Sequence, residues 1–427
     1  MRVVSGDVGT GFRGRLLKPL AGELVVITTE TTKGFNQLNV TIPSDASTPE
    51  PAAPVAKPAS GWRRIGIQLV AALDWVFGLL ALIVALSALA VVPGLNFLSL
   101  GYLLHASAEV ARTGRFRAGL VGIRRAARLG HVVVGVWLVS LPVRLAAGLA
   151  EDVALVSPGG TAARTWQVAV AFFAALVIGQ IAWAGLRGAR LGHFLWPAPV
   201  RLWRWLAAPE PLPGSSWALA GYVTGLRLPY LFWLGLRGFV GALLWLATPV
   251  GLLLLAAQLD AGKGGGLLAL LGGGLLAAVV PALPFLQVRF AVENRFRAFG
   301  EVGAVRRHFR RAPLAFAVVL LVTLLFALPL YLLKIELPPR ELAWLPSLVF
   351  VLFIFPARLL AGWAWARAVR RDQPRSAVAR WTGRLALVPV VGLYVLLVYA
   401  TQFLAWNGTL GLLEQHAFLM PAPLLGP

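Results

Sequence analysis

The feature that most constrains this chain is an apolar run over residues 65–108, in which Asp74 and His105 are the only acidic or basic side chains. About 20 apolar residues in a helix span the hydrocarbon core of a bilayer. The run is interrupted at Pro93-Gly94, where proline removes a backbone donor and clashes with the preceding turn. The sequence therefore predicts membrane-spanning helix with a break at this proline.

Similar runs recur along the chain, which has 427 residues, 58% of them hydrophobic and 13% charged. A soluble domain has about twice that charged fraction, and the runs lack the alternation of membrane β-strands. We therefore predict an all-α fold, a polytopic transmembrane helical bundle of about eight spans. The predicted spans are residues 65–92, 131–150, 166–186, 239–259, 266–286, 314–333, 345–366 and 385–406.

Basic residues gather in four segments between these spans, namely 112–128, 187–204, 289–311 and 367–384. The intervening segments carry acidic residues and few arginines, so the positive-inside rule predicts that the basic segments are cytoplasmic. The predicted location is the bacterial inner membrane.

Two of the basic segments have the helical period of an amphipathic helix, with arginines on one face and apolar residues on the other. Such helices lie in the membrane interface with the apolar side down, and each arginine gains about 1 kcal/mol near anionic headgroups. The apolar faces comprise Phe116, Leu120, Ile123 and Ala127, and Val302, Val305 and Phe309. The predicted headgroup contacts are Arg117, Arg124, Arg125, Arg128, Arg306, Arg307, Arg310 and Arg311.

The formal net charge of +22 requires anionic partners. Because the positive charge alternates with the spans and aromatic-basic single-strand motifs are absent, it indicates a lipid bilayer with anionic phospholipids rather than nucleic acid. The chain contains no cysteine, and its five histidines have no metal-ligand spacing, so neither a metal nor another cofactor is predicted.

Residues 1–61 form a polar, proline-rich tail that cannot bury enough apolar area to fold, and we predict that it is largely disordered. The following run, 65–108, has two readings. As one span it places the tail outside the cell, and as a hairpin folded at Pro93-Gly94 it leaves the tail in the cytoplasm.

Sequence landmarks that recur in the same order predict an internal duplication. Two tandem four-span units, residues 62–260 and 261–427, would lie in parallel orientation. The matched landmarks are Pro93-Gly-Leu-Asn-Phe-Leu with Pro281-Ala-Leu-Pro-Phe-Leu, Gly119-Leu-Val-Gly with Gly300-Glu-Val-Gly, Leu141-Pro142 with Leu328-Pro329, and Trp183, Arg187 and Arg190 with Trp363, Arg367 and Arg370.

The segment Val92-Pro-Gly-Leu-Asn-Phe-Leu-Ser-Leu-Gly-Tyr-Leu-Leu, followed by Arg112 and Gly119-Leu-Val-Gly-Ile, resembles an uncharacterised family of polytopic prokaryotic membrane proteins. The resemblance covers about residues 65–150 and, more faintly, 275–335. The second copy departs from the pattern, because Gln287-Val-Arg-Phe replaces Gly-Tyr. The resemblance implies a membrane fold and no particular activity.

Four polar residues within the predicted spans form the candidate intramembrane site: Asp74, Arg144, Gln180 and Arg358. A buried charge is expensive in a bilayer and is therefore a candidate functional residue. Arg144 and Arg358 each follow a proline by two residues, where a kink can open a pocket for an anion. The alternative is a structural role, in which these groups pair with one another or reach the interface.

These observations favour a non-enzymatic membrane protein, either a scaffold or complex component with a possible membrane-protein partner, or a permease-like carrier for an anionic lipid or solute. A carrier would line a wet mid-membrane pocket with the four polar residues, and a scaffold would keep them paired and dry. The alternative is a lipid-modifying enzyme at the cytoplasmic interface. Its acid or base would come from Glu109, Glu210, Glu293, Glu301 or Asp372.

Overall fold

The computed structural model describes residues 61–208, 224–259, 264–332, 345–404 and 408–412. These residues form helices and turns without a β-strand, which confirms the predicted all-α bundle. The α-helices are α1 Gly61–Val91, α2 Asn96–Thr113, α3 Ile123–Val156, α4 Thr161–Leu186, α5 Leu191–Leu195, α6 Pro199–Ala207, α7 Leu228–Gln258, α8 Gly265–Val279, α9 Leu283–Glu293, α10 Val302–Arg311, α11 Pro313–Leu332, α12 Leu345–Val369 and α13 Ala377–Leu404. Short 3-10 helices occupy Phe116–Gly119, Phe296–Gly300 and Gly408–Leu412.

Within the described residues, six helices are long and apolar enough to cross a membrane, or up to eight if two bent pairs each count as one span. The pair α8–α9 bends by 43° and the pair α10–α11 by 110°. The first bend lies at Pro281 and the second directly before Pro313, as expected because proline ends or kinks the preceding helix. This is the helix content of a multi-pass membrane protein.

The chain divides into two compact units, Met1–Ile67 and Gln68–Pro427. The predicted tail, residues 1–61, lies outside the described residues except for Gly61. In the second unit, α2 occupies the centre and packs against α7, α9 and α12. Helix α8 packs on α7, and α11 packs between α12 and α13.

Glycines bring the backbones of the central helices together. A Cβ at Gly101 of α2 would lie 1.8 Å from the Leu231 carbonyl oxygen of α7, and one at Gly235 would lie 1.9 Å from the Phe97 oxygen. Gly362 of α12 lies against the Ser107 carbonyl of α2 in the same way, at 2.2 Å. Small residues permit such close approach between membrane helices, and here they surround α2 on two sides.

Helix α1 packs against the start of α3. Gly78 of α1 lies against Ile123, where a Cβ would be 2.7 Å from the Ile123 side chain. The break that the sequence predicts at Pro93-Gly94 is present, because α1 ends at Val91, α2 begins at Asn96, and Gly94 between them adopts a φ of 85°. The choice between one span and a hairpin for residues 65–108 stays a prediction.

Helices α3 and α4 form a separate arm that packs mainly on itself and on α5. In their most apolar windows only 6% and 11% of the residues are buried, against 61% in α12. Most of their large apolar side chains therefore face outward, as in a helix pair that is solvated by lipid.

The segment 112–128 is not one amphipathic helix, contrary to the prediction. It comprises the end of α2, a left-handed turn at Gly114, the 3-10 helix Phe116–Gly119 and the first turns of α3. Part of its apolar stripe faces protein, since Ile123 and Ala127 are buried beside Gly78, whereas Phe116 is 42% exposed. The stripe on α10 is divided in the same way, because Val305 is buried and Val302 is 37% exposed. Tertiary packing thus takes up part of the apolar faces that periodicity assigned to the membrane.

Candidate functional site

Several basic segments meet at one end of the bundle. The Arg112 guanidinium at the end of α2 donates to the Val292 carbonyl oxygen at the end of α9 over 2.8 Å. Arg370, directly after α12, donates to the Thr113 carbonyl oxygen. We call the region around the C-terminal ends of α2, α9, α10 and α12 the basic end.

A cavity of about 400 Å³ opens at the basic end, between the start of α11, the end of α12 and the start of α13. The sharp bend between α10 and α11 forms one wall of it. The lining combines an apolar floor with three arginines, and no acidic residue stands among the described residues that form it. The lining residues are Ala312, Pro313, Leu314, Ala315, Val318, Trp363, Arg367, Arg371, Arg375 and Ala379.

The three arginines are held at the cavity by contacts with neighbouring elements. The Arg367 guanidinium lies over the Trp363 ring, 5.3 Å from its centroid. Arg371 donates to the Arg311 carbonyl oxygen over 3.2 Å, and the Arg375 backbone N–H donates to Arg310 over 3.0 Å. Burial, and then repulsion from Arg375 and Arg367, lower the pKa of Arg371. The cavity therefore concentrates positive charge above an apolar floor.

A similar tryptophan–arginine pair occurs at the end of α4. The Arg187 guanidinium lies 5.4 Å from the Trp183 ring centroid. There the backbone of the chain occupies the guanidinium, because Arg187 donates to the Trp196 carbonyl oxygen over 2.7 Å and also to that of His193. The indole N–H of Trp183 donates to the Pro197 oxygen over 2.8 Å. The equivalent arginine of α12 instead faces the cavity.

The sequence also contains a repeated tetrapeptide that was not among the landmarks matched above. Arg115-Phe-Arg-Ala follows α2, and Arg295-Phe-Arg-Ala follows α9. Both copies begin with an extended arginine, φ −113° and ψ 124° at Arg115 against −121° and 124° at Arg295. Both 3-10 helices end alike, at −88° and 53° for Leu120 and −89° and 53° for Glu301. Identity over four residues was the signal that could have revealed this pair of turns.

The four candidate intramembrane residues do not meet. Asp74 of α1 lies beside His131 of α3, with a carboxylate-to-imidazole distance of 3.7 Å. Arg144 is exposed on α3. Gln180 of α4 donates to the backbone oxygens of His193 and Phe194, at 3.0 Å and 2.8 Å. These three positions belong to the arm and its contact with α1.

Arg358 is the candidate that lies in the centre of the bundle. Its side chain in α12 is only 4% exposed, and its guanidinium donates to the Gln287 side-chain oxygen of α9. Gln287 is itself fully buried. This polar contact joins two helices that also carry the basic end, and it lies apart from the other three candidates.

The predicted headgroup arginines are nearly all on the surface. Arg125 contacts the Gly225 carbonyl oxygen, and Arg311 is partly buried where its carbonyl accepts from Arg371. The exposed members are Arg117, Arg124, Arg125, Arg128, Arg306, Arg307 and Arg310. They extend the positive surface of the basic end beyond the cavity.

Three of the candidate acidic residues are engaged in ion pairs, and Asp372 is exposed after α12. Arg289 of α9 contacts Glu293 at 3.0 Å and also Glu301, and Glu109 pairs with Arg112 at 2.6 Å. Glu210 lies outside the described residues. Among the residues that are described, no group of three or more His, Asp or Glu side chains is arranged to hold a metal ion.

Comparisons of the chain with protein-family models, with curated proteins and with solved structures found no match.

Proposed function

We propose that this chain is a multi-pass protein of the bacterial inner membrane that acts as a non-enzymatic scaffold, with its basic end against the anionic lipid of the cytoplasmic leaflet. The observation that carries this proposal is the meeting of the basic segments 112–128, 289–311 and 367–384 at one end of the bundle. Clusters of arginine beside membrane helices attract anionic headgroups, each by about 1 kcal/mol. A membrane-protein partner fits this role, and nucleic acid does not.

The separation of the polar candidates supports a scaffold over a carrier. A carrier needs convergent polar groups around a mid-membrane site. Here Gln180 is occupied by backbone carbonyls of the arm, and Arg358 is buried against Gln287 in the central helices. Gln180 and Arg358 therefore each join neighbouring elements of the protein, which is what a rigid scaffold requires.

We also infer that the chain arose by duplication, in agreement with its resemblance to a family of uncharacterised membrane proteins. The matched backbone angles at Arg115 and Arg295 support this inference, and so do the two tryptophan–arginine pairs. The two copies differ in the helix that follows this turn: α3 is continuous from Ile123 to Val156, whereas α10 and α11 are separated by the 110° bend.

Labelling of single cysteines tests the orientation, since the chain has none of its own. The variants Arg124→Cys and Arg306→Cys should react with a membrane-impermeant maleimide only from the cytoplasmic side. Val156→Cys, at the opposite end of α3, is the matched control and should react from the other side. Reaction of Arg124→Cys and Arg306→Cys from opposite sides would contradict the proposal.

A stability measurement tests the lipid preference. In nanodiscs, the thermal midpoint of the protein should be higher with phosphatidylglycerol than with phosphatidylcholine. The difference should shrink at about 1 M salt, because the screening length then falls to about 3 Å. An equal midpoint in both lipids at low salt would count against a role that depends on anionic lipid.

The alternative, a lipid-modifying enzyme, has one observation in its favour: Glu293 and Glu301 share Arg289 at the basic end. Paired carboxylates can serve as acid and base. This alternative requires that the purified protein alter a phospholipid and that Glu301→Gln abolish the reaction while leaving the thermal midpoint within a few degrees. The scaffold proposal expects no lipid product from either protein.

A further inference from the structure

We propose that the cavity at the basic end binds one anionic glycerophospholipid. Its phosphate would be held by Arg367, Arg371 and Arg375, and an acyl chain would lie along Leu314 and Val318. This inference rests on the proposed function, because it requires that the basic end face an anionic leaflet.

The charge of the cavity points to an anionic ligand. Three arginines line it, none of its described lining residues is acidic, and Arg371 is close enough to the other two for their repulsion to lower its pKa. Guanidinium groups bind phosphate oxygens through two parallel hydrogen bonds. A phosphate placed among the three arginines would therefore relieve their repulsion and accept hydrogen bonds from several donors.

The apolar floor distinguishes a lipid from a free phosphate. Leu314 and Val318 lie on successive turns of α11, and both are about half exposed although they line the cavity. The cavity thus continues from the arginines on to the outer surface of a helix that is apolar enough to face lipid. A glycerophospholipid has the same arrangement, with a charged phosphate directly above apolar chains.

The tryptophan–arginine pair at the end of α4 shows which acceptors the guanidinium of such an arginine needs. Arg187, stacked on Trp183, is satisfied by the backbone oxygens of His193 and Trp196. Among the described residues, no backbone oxygen accepts from the Arg367 guanidinium in this way. A phosphate oxygen is the acceptor that can take the place of these carbonyls. The volume of about 400 Å³ also falls within the usual range for ligand pockets, about 300–1,000 Å³.

Native mass spectrometry of the full chain in mild detergent, titrated with phosphatidylglycerol or phosphatidylcholine, tests this site. We expect one phosphatidylglycerol to be retained at detergent concentrations that remove phosphatidylcholine. The double variant Arg371→Gln/Arg375→Gln should weaken its binding by about tenfold or more, as expected from the loss of charge-assisted hydrogen bonds. The control Arg306→Gln/Arg307→Gln removes the same charge from the exposed face of α10 and should change binding by less than about twofold.

A steric variant tests the contribution of the acyl chain. Val318→Trp fills the apolar floor and leaves every charge in place, and Val318 is exposed enough to accept the larger side chain without unfolding. It should weaken binding of phosphatidylglycerol by about tenfold. Glycerol phosphate, which has the headgroup chemistry without the chains, should compete only at concentrations far above those of the lipid.

The outcomes separate this inference from the proposed function. If both arginine double variants lose binding equally, the basic end attracts lipid only diffusely; the scaffold proposal survives and the specific site does not. If Val318→Trp binds lipid normally and glycerol phosphate competes equally well, the cavity takes a soluble phosphate and the lipid assignment is wrong. If the unmodified chain shows no preference for phosphatidylglycerol, both proposals fail.

Discussion

Helices α2 and α4 depart from the usual rule that polar side chains are exposed and apolar side chains are buried. Helix α2 carries Asn96, Ser99 and Ser107, and all three are buried. Helix α4 is more uniformly apolar, yet Phe172 and Ile178 are more than half exposed. In water this would be an unstable arrangement, but in a bilayer the lipid solvates apolar side chains as well as the protein interior does. The interior of this bundle therefore holds polar side chains such as these beside its large apolar ones, because lipid cannot satisfy their hydrogen bonds.

The largest effect should come from filling the contact between α2 and α7. Gly235→Leu would drive a side chain into the Phe97 backbone, which cannot move aside, and should destabilise the bundle by more than about 3 kcal/mol. Gly179→Leu in α4 meets open space within 4 Å and should change stability by less than about 0.5 kcal/mol. Thermal unfolding in detergent measures both. Equal loss in the two variants would mean that the arm is packed as tightly as the central helices.

The second comparison uses the same chemical change at a buried and an exposed glutamine. Gln287→Leu removes the side-chain oxygen that accepts from Arg358 inside the bundle, and it should cost about 1–3 kcal/mol. Gln167→Leu, on the exposed side of α4, places an apolar group in lipid and should be neutral or slightly stabilising. The midpoint of unfolding in detergent distinguishes them, and a neutral Gln287→Leu would show that this polar contact contributes little.

A smaller, local effect is expected after α4, where Arg187 holds the segment 188–198 against the arm. Arg187→Gln loses the hydrogen bonds to His193 and Trp196 and should release α5 without unfolding the central helices. Cleavage of the segment 188–198 by protease should accelerate about tenfold, the equivalent of about 1.4 kcal/mol. The exposed Arg190→Gln is the control and should be cleaved at the original rate. A change in the global midpoint instead would mean that α5 stabilises more than the arm.

The smallest effect is a pH dependence of protease cleavage in the same segment, 188–198. Burial, and then the charges of Arg187, Arg190 and Arg201, lower the pKa of His193 below its ordinary value of 6.5. Because protonation is then harder in the folded state, the stability of the docked segment is constant above pH 6.5 and falls as the pH drops below it. Protease cleavage of this segment should therefore accelerate modestly toward acid. His193→Gln should remove the acceleration, and its persistence would assign the effect to another group.

The sequence predicted most of the spans, because a stretch such as 345–366 needs only length and apolar composition to be recognised, whereas 266–286 and 314–333 fall in the two bent pairs. It could not predict which apolar faces meet protein. The stripe containing Ile123 and Ala127 has the same period whether it lies on lipid or on Gly78, and only the tertiary arrangement decides. The cavity was missed for a similar reason: Arg367 and Arg371 share a basic segment in sequence, but its apolar floor comes from α11, behind a bend of 110°.

The central place of α2 constrains the order in which the molecule can be assembled. A helix with this many polar groups gains little by entering lipid alone, so its stable insertion depends on its partners α7, α9 and α12, which are synthesised later. The contact between Arg370 and Thr113 spans 257 residues of chain. At an elongation rate of about 5–20 residues per second, this last contact forms about ten seconds or more after α2 is made, an interval in which chaperones and proteases could act on the unfinished bundle.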